Sequence, residues 1–245
     1  EKEVEIFHAR PSFLWGNNAK SKAAVFVSII GCTTDSNKPK SIVSNNFQQE
    51  VKYINAYLVN GPNVIVYKSS FSISGLPKMV LGNLPRDGGN LVINREEIAE
   101  AGLEQDDLKR FVKKYVGSSE FINNKERYCL WIENEEEYEK LKSISFLAKK
   151  IKGVEEFRLS SDRLATKELA SVPYRFAEIR HKEGTAIIVP RVSSIRRNYV
   201  PIGFIDSETV VSDAASVIYN APPWLFSLIS SRIHVLWLKM VAGRL

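Results

Sequence analysis

Nine consecutive residues between two apolar stretches carry side chains suited to binding phosphates and the edges of nucleotide bases. Residues 191–199 read RVSSIRRNY and contain three arginines, two serines, an asparagine and a tyrosine. A guanidinium offers a planar fork of donors that matches phosphate and the acceptor edge of guanine, and hydroxyl and amide groups can contact either. The members of this run that we expect to bind are Arg191, Ser193, Ser194, Arg196, Arg197 and Asn198.

A second candidate lies at residues 158–167, which read RLSSDRLATK. We expect Arg163 and Lys167 to support the contacts of the first run, and Arg180 to steer the phosphate backbone. The alternative is a capped amphipathic helix, because Ser160, Ser161 or Asp162 could begin one. Both interpretations stay open at the level of sequence.

The charge of the chain is unevenly distributed. The net charge is +6 over 245 residues, but residues 140–198 carry +8 and residues 94–139 carry −6. This basic segment is typical of a face that binds a polyanion, and it includes Arg158, Arg163, Lys167 and Arg175. Alternatively, it is a solvated surface balanced by the acidic segment. Seven arginines against two lysines between residues 158 and 197 favour recognition.

The chain shows no convincing catalytic or metal-binding pattern. His8, His181 and His234 are far apart in sequence, and the paired serines lack a glycine-flanked nucleophile turn. We expect Cys32 and Cys129, each in an apolar run, to be reduced and buried. The sequence therefore predicts no metal site and no catalytic residue.

Hydropathy and turn signals predict an α+β fold with mixed sheets and peripheral helices. Asn94 is expected to cap a helix that ends at Gly102, and residues 224–241 are expected to form one buried helix because charges interrupt a membrane-spanning pattern. The remaining predicted strands are 23–32 (buried), 64–67, 78–81, 91–93, 127–132, 185–189 and 200–205, and the remaining predicted helices are 106–116, one from 135 and 158–169.

Several runs in order along the chain resemble MmeI-like DNA methyltransferases, fused restriction–modification enzymes of the Eco57I-type class (type IIG/IIL). The runs are NAYLVNGPNVIV (55–66), ISGLPKMV (73–80), DGG (87–89), GSSEFIN (117–123), RYCLW (127–131), EFRLS (156–160), SSIRRNYVPIGF (193–204), SRIH (231–234) and VAGRL (241–245). The resemblance covers nearly the whole chain. It implies a target-recognition domain that reads double-stranded DNA for an adenine methyltransferase.

The resemblance also divides the chain. Residues 13–15 and 23–32 are similar to the last strands of the catalytic domain, so residues 1–40 are expected to be its C-terminal remnant and residues 41–245 the recognition domain. The expected partners are double-stranded DNA and the upstream methyltransferase domain of the same parent chain, with no membrane and a cytoplasmic location. The resemblance places S-adenosylmethionine in the parent enzyme and no cofactor in this chain, and leaves open whether the parent carries an endonuclease.

Two alternatives belong to other functional classes. The run Asn220 to Trp224, NAPPW, resembles the catalytic tetrapeptide of amino-methylating DNA methyltransferases, which would make the chain a self-sufficient enzyme. However, Ala221 occupies the position where the family has a polar acceptor, so the chain is not expected to methylate alone. The second alternative is a basic module that binds an acidic protein.

Overall fold

The computed structural model describes residues 3–16, 25–71, 74–194 and 197–241. Contacts between Cα atoms divide the chain into two compact units, which we call the smaller unit (residues 1–71 and 237–245) and the larger unit (residues 72–236). Each is described by itself.

The smaller unit contains one four-stranded sheet. Its strand order is β2-β1-β3-β4, with β1 parallel to β3 and the other pairs antiparallel. Asn45 and Asn46 both have positive φ and form the two-residue turn between β3 and β4, a conformation that asparagine tolerates. The strands are β1 (Glu5–Trp15), β2 (Val25–Thr33), β3 (Lys40–Ser44) and β4 (Phe47–Val51).

Much of the apolar surface of this sheet is exposed. Among the described residues of the smaller unit, only Ala9 and Asn55 are buried. The predicted strand at 23–32 forms as β2, but the prediction that it is buried is wrong, because Phe26 and Ile30 are about half exposed. Cys32 is exposed for the same reason, contrary to expectation. Apolar composition identifies a strand, but burial depends on what covers it.

The larger unit is built from two four-stranded sheets, ordered β10-β9-β12-β5 and β11-β7-β8-β6, with helices around them. This arrangement confirms the predicted α+β class. The strands are β5 (Val80–Leu81), β6 (Val92–Ile93), β7 (Val112–Val116), β8 (Tyr128–Leu130), β9 (Ala186–Pro190), β10 (Gly203–Ile205), β11 (Thr209–Val211) and β12 (Ala215–Tyr219). The helices are α1 (Arg95–Glu100), α2 (Gln105–Phe111), α3 (Ser118–Asn123), α4 (Glu135–Leu141), α5 (Ser145–Leu159), α6 (Leu164–Glu168) and α7 (Pro223–Ser230), with a 3₁₀ turn at Leu169–Ser171. The last helix, α8 (Arg232–Val241), begins in the larger unit and ends in residues assigned to the smaller unit.

The cap of α1 forms as predicted. The Asn94 side chain accepts from the backbone N–H of Glu97, and the Glu97 carboxylate accepts from the backbone N–H of Asn94. This reciprocal pair satisfies two N–H groups that have no partner within the helix.

The helix predicted at 106–116 is wrong in its second half. The helix α2 ends at Phe111, and residues 112–116 form β7, which pairs with β8 and β11. Val112 and Val116 are β-branched and Tyr115 is buried, so pairing between two strands outweighs helical continuation. The strand predicted at 64–67 is also wrong, since the structure describes these residues without strand pairing.

Two other helices differ from prediction. Instead of one helix over 158–169, α5 ends at Leu159 and α6 begins at Leu164. The single buried helix predicted at 224–241 is broken at Ser231, whose backbone is extended and whose hydroxyl accepts from the N–H of His234. It is also only partly buried, since Trp224, Ile233 and Trp237 are at least half exposed. Among the described residues, no helix is both long and apolar enough to cross a bilayer.

The core of the larger unit lies on the two sheets. Leu147, Ile151 and Val154 repeat at helical spacing on α5 and pack with the sheet that contains β7 and β8. Leu225 of α7 packs against Ile187 and Ile218 of the other sheet. This packing stabilises the two sheets, and the polar loops connect their strands.

Asn83 joins the two sheets at a fully buried position. Its side-chain amide donates to the Val211 carbonyl over 2.8 Å and accepts from the N–H groups of Arg180 and His181 over 2.6 and 2.9 Å. The Tyr115 hydroxyl donates to the Asn83 carbonyl over 3.1 Å. Because protein groups satisfy both the side-chain amide and the backbone carbonyl, Asn83 fixes β11 against the segment after β5.

Candidate nucleic-acid interface

The arginine-rich run forms the long connection of an antiparallel hairpin. Strands β9 and β10 pair from Ile188 opposite Gly203 to Ala186 opposite Ile205, which leaves residues 191–202 as the loop. The buried strand β9 is paired on both sides, with β10 and β12. The sequence prediction of a polar loop between two strands is therefore confirmed, although the second strand begins at Gly203 rather than at residue 200. We call residues 191–202 the hairpin loop.

Most described side chains of the hairpin loop face solvent. Arg191, Ser193, Ser194 and Asn198 are exposed, and Arg197 is half-buried. The N–H of Arg197 donates to the carbonyl of Ser194 over 3.1 Å, which brings the backbones of these two predicted site residues together. Ile195 and Arg196 lie outside the described residues. The exposed members present hydroxyl, amide and guanidinium groups from one short segment.

Val192 and Tyr199 add apolar surface to the hairpin loop. Val192 is 74% exposed and Tyr199 is 60% exposed, on either side of the polar residues. An exposed aromatic ring and a methyl-bearing side chain can stack on bases or contact a thymine methyl group. The loop can therefore contact both polar and apolar parts of a nucleic acid.

The second predicted group is at α6. Arg163 is the residue before the first turn, and its carbonyl accepts from the N–H groups of Thr166 and Lys167 over 2.9 and 3.1 Å. Arg163 and Lys167 are both exposed and four residues apart, so they lie on the same side of the helix, while Thr166 is buried. A helix therefore forms here and displays the two cations, but the expected cap is wrong, because α6 is preceded by Arg163 rather than by Ser160, Ser161 or Asp162, and no side chain caps it.

Arg158 does not belong to the basic face that was expected to include it. It has no exposed surface. Its guanidinium donates five hydrogen bonds of 2.6–3.0 Å, all to backbone carbonyls. The acceptors are the carbonyls of Pro85, Arg86, Leu169, Val172 and Arg175. A guanidinium has five N–H groups, so this side chain has no donor left for a ligand.

Arg180 is half-buried and engaged within the larger unit. Its Nη1 donates to the Gly82 carbonyl over 2.7 Å, and its Nη2 pairs with the Glu178 carboxylate. Its backbone N–H is one of the donors to Asn83. The guanidinium and the backbone N–H of Arg180 are therefore both bound within the larger unit.

His181 adds no positive charge to this surface at neutral pH. Burial, reinforced by the charge of Lys113, lowers its pKa below the usual value of 6.5. Its ring lies edge-on to Trp131, 5.4 Å between centroids, within an aromatic cluster. The imidazole is therefore neutral and part of the packing.

The run that resembles a methyltransferase tetrapeptide has no polar acceptor directly before its two prolines. Ala221 is buried, Asn220 has a φ of 52°, and Pro223 begins α7. The geometry is that of a helix entry. Among the described residues, no three His, Cys, Asp or Glu side chains are grouped in a way that could hold a metal ion.

Sequence reasoning missed the residues that support the hairpin loop from α3. The Ser118 hydroxyl accepts from the N–H of Arg191 over 3.0 Å, although the two residues are 73 positions apart. The sequence did not predict the helix α3, and the residues around Ser118 carry no local signal for a contact of such long range.

The fold and the exposed basic loop define an α+β domain of the kind that recognises DNA targets, and comparison with known proteins supports that class. The sequence model of "MmeI, target recognition domain" matches residues 60–245. The chain belongs to the MmeI target-recognition-domain family. This confirms the resemblance found in the sequence.

Two relatives illustrate the match. DNA methyltransferase A of Bacillus subtilis (strain 168) is 39% identical over 243 residues, which are 99% of this chain and 28% of that protein. A solved structure of the type IIL restriction–modification enzyme MmeI in complex with DNA is similar with a TM-score of 0.85 and 34% identity, covering 99% of this chain and 33% of that one. This chain thus spans about a third or less of the length of either relative.

Proposed function

We propose that this chain recognises a specific sequence in double-stranded DNA. The observation that carries the proposal is the hairpin loop, which presents exposed arginine, serine and asparagine side chains from a buried strand. The chain shares its fold with an enzyme whose structure was solved in complex with DNA. Such a loop can place donors and acceptors against base edges while its supporting strands stay fixed.

The predicted residues divide into two roles. We assign base reading to the hairpin loop, with Arg196 and Arg197 as the main readers and Ser193, Ser194 and Asn198 beside them. We assign phosphate contacts to Arg163, Lys167 and Arg191, whose side chains are exposed. Arg180 belongs to the phosphate group only if its guanidinium leaves Gly82 and Glu178.

The test begins by selecting the preferred site from a randomised duplex library with the wild-type chain, and continues with anisotropy titrations on that site and on a scrambled duplex. Arg197→Ala should weaken binding to the selected site by about 1–3 kcal/mol and affect the scrambled duplex less. Arg163→Ala and Lys167→Ala should weaken both duplexes equally, and each should reduce the slope of log K against log salt by about one.

Lys125→Ala is the matched control, because Lys125 is an exposed lysine in the acidic segment. It should leave both affinities unchanged. A wild-type chain that shows no salt-dependent binding to any duplex would contradict the proposal and favour an acidic protein partner.

We further propose that the parent protein is an S-adenosylmethionine-dependent adenine methyltransferase of the bacterial cytoplasm, fused to restriction activity. In this proposal residues 1–40 belong to its catalytic domain and residues 41–245 to the recognition domain. The exposed apolar face of β2, including Phe26 and Ile30, supports the division, because such a face is expected to pack on further protein. This proposal places the cofactor in the rest of that catalytic domain, and Ala221 in this chain lacks the polar acceptor that a target amino group would need.

Two measurements test the proposed activity of the parent protein. Mapping modified bases in DNA from cells that express the full-length protein should reveal methylated adenine within the site selected by this chain. Calorimetric titration of this chain with S-adenosylmethionine should give no heat of binding. Modification at an unrelated sequence, or binding of the cofactor by this chain, would count against the proposal.

A further inference from the structure

We infer that Ser118 and Phe121 of α3 are positioning residues that hold the hairpin loop in its reading geometry. They determine how well the domain discriminates between DNA sequences more than how strongly it binds DNA. The inference rests on the proposed function.

One end of the hairpin loop is connected to α3 by the hydroxyl of Ser118. Ser118 Oγ accepts from the backbone N–H of Arg191 over 3.0 Å and donates to the carbonyl of Ala214. Arg191 is attached a second time, since its Nη1 donates to the Asp213 carbonyl over 3.1 Å. The first residue of the loop is therefore bound to α3 and to the turn that precedes β12.

The other end of the hairpin loop rests on the same helix. A Cβ atom at Gly203 would lie 2.6 Å from Cζ of Phe121, closer than real Cβ contacts come. Glycine at this position lets the phenyl ring seat against β10. Phe121 is itself half-buried against the core formed by Ala186, Ile188 and Val217. Both ends of the loop thus contact α3, one through a hydrogen bond and one through packing.

The N-terminus of α3 is held in place by hydrogen bonds to other parts of the larger unit. Glu120 accepts from the backbone N–H of Gly117 over 2.9 Å and from Nη2 of Arg127 over 3.2 Å. The preceding strand, β7, is paired on both sides. The position of Ser118 and Phe121 is therefore set by the sheet, independently of the loop.

This arrangement affects reading and binding differently. Hydrogen bonds to base edges depend on placement to about 0.5 Å and 10–20°, whereas contact with phosphate tolerates small displacements. If the loop were detached from α3, its arginines would still reach phosphates. Discrimination between sequences should therefore be lost first.

The test compares three variants of the full 245-residue chain on the selected and the scrambled duplex. Ser118→Ala should reduce the ratio of the two affinities at least tenfold and change affinity for the scrambled duplex less than twofold. Ser118→Thr keeps the hydroxyl and should restore the ratio. Ser119→Ala is the matched control, since Ser119 is the next residue of α3 and is exposed.

Limited trypsin digestion supplies a readout without DNA. Cleavage within residues 191–197 should be at least fivefold faster in Ser118→Ala than in wild type or Ser119→Ala, at an unchanged melting temperature. An unchanged affinity ratio, or equal weakening on both duplexes, overturns the inference. If the wild type has no sequence preference, the proposed function fails, and trypsin alone then decides whether Ser118 holds the loop.

A compensating pair tests the packing contact in case Ser118→Ala does not fold. Gly203→Ala should accelerate cleavage and lower the affinity ratio, because the new methyl group displaces the Phe121 ring. Adding Phe121→Leu removes the clashing ring atoms. The double variant should therefore recover most of the wild-type resistance to trypsin and most of the wild-type affinity ratio. If the double variant is no better than Gly203→Ala alone, the packing part of the inference is wrong.

Discussion

Arg158 and Arg163 are five positions apart and carry the same charge, yet they have opposite roles. Arg163 is exposed before the first turn of α6, while Arg158 is wholly buried and organises five carbonyl oxygens. Those acceptors lie in three separate segments near residues 85, 170 and 175. The identity of a basic residue therefore says little about its role until its surroundings are known.

Replacing Arg158 should destabilise the fold strongly. Arg158→Met keeps most of the volume but leaves five carbonyl groups without a donor, so we expect a loss of about 3–5 kcal/mol in the free energy of unfolding, measured by urea denaturation. Arg163→Met is the matched control and should change stability by less than about 0.5 kcal/mol. Equal losses in the two variants would show that the carbonyl cluster is not important.

The two thiols should differ in reactivity. Cys32 is exposed, whereas Cys129 is completely buried, and burial raises the pKa of the Cys129 thiol far above its usual range. At pH 8 a thiol reagent should therefore modify one cysteine rapidly in the native chain and both in urea. Cys32→Ser should abolish the rapid phase and Cys129→Ser should retain it. Two rapid phases in the native wild type would contradict the burial of Cys129.

At the scale of elements, a charge contact fastens α1 to α5. Lys150 of α5 pairs with the Glu97 carboxylate, which also caps the N-terminus of α1. Burial raises the pKa of Glu97, but the hydrogen bonds from Lys150 and from the Asn94 backbone outweigh it, so the pKa falls below 4.5. The carboxylate therefore binds its proton less readily in the folded chain than in the unfolded one.

This shift predicts a pH dependence. A lowered pKa gives stability that is complete above the unfolded value and is lost as the pH falls through the folded value. Glu97→Gln should cost roughly 0.5–1 kcal/mol at pH 6.5, and its difference from wild type should shrink towards pH 3, as measured by urea unfolding. Glu96 is an exposed neighbour, and Glu96→Gln should leave the unfolding free energy close to that of wild type over the same pH range. A difference that grows in acid would contradict the assignment.

Two of the elements show when a sequence pattern is sufficient to predict secondary structure. The cap at Asn94 was predictable because its signal is local and both partners lie within three residues. The change from α2 to β7 at Val112 was not, since β7 depends on two partner strands, one of them about 95 residues away. Local capping and turn signals predict where elements begin, while tertiary pairing decides whether a helix continues or gives way to a strand.

The candidate site obeys the same rule. The polar loop between two strands was predictable from residue type and spacing, whereas the sequence left open whether Arg163 and Lys167 belong to a basic surface or to a capped helix. The burial of Arg158 and the support of Arg191 by Ser118 were not, because both depend on contacts between distant segments. Charge counting located the basic segment but could not separate arginines that face solvent from those that fill the core.

At the scale of the molecule, the two units have very different cores. The larger unit contains all three buried clusters of the described chain, while the smaller unit buries little. All the residues to which we assign DNA contacts lie between positions 163 and 198, within the larger unit. Independent folding and binding are therefore expected of the larger unit.

A fragment of residues 72–241, which keeps α8 whole, tests this expectation. It should unfold cooperatively in urea, retain the near-ultraviolet circular dichroism of its buried aromatic residues, and bind the selected duplex within about threefold of the full chain. A matched fragment of residues 3–71 should show no cooperative transition, because Ala9 and Asn55 are the only buried residues among those that the structure describes in it. Loss of DNA binding by a folded larger fragment would assign part of the interface to the smaller unit.

The hairpin loop also has a consequence for how such a domain diverges between lineages. Its support comes from α3 and from β9, outside the segment that faces solvent, so exchanges at Val192, Ser193 or Asn198 remove almost no buried contact. Substitutions there are nearly neutral for folding, and new combinations can accumulate without passing through an unstable ancestor. Target preference is then free to drift quickly while the scaffold beneath it changes slowly.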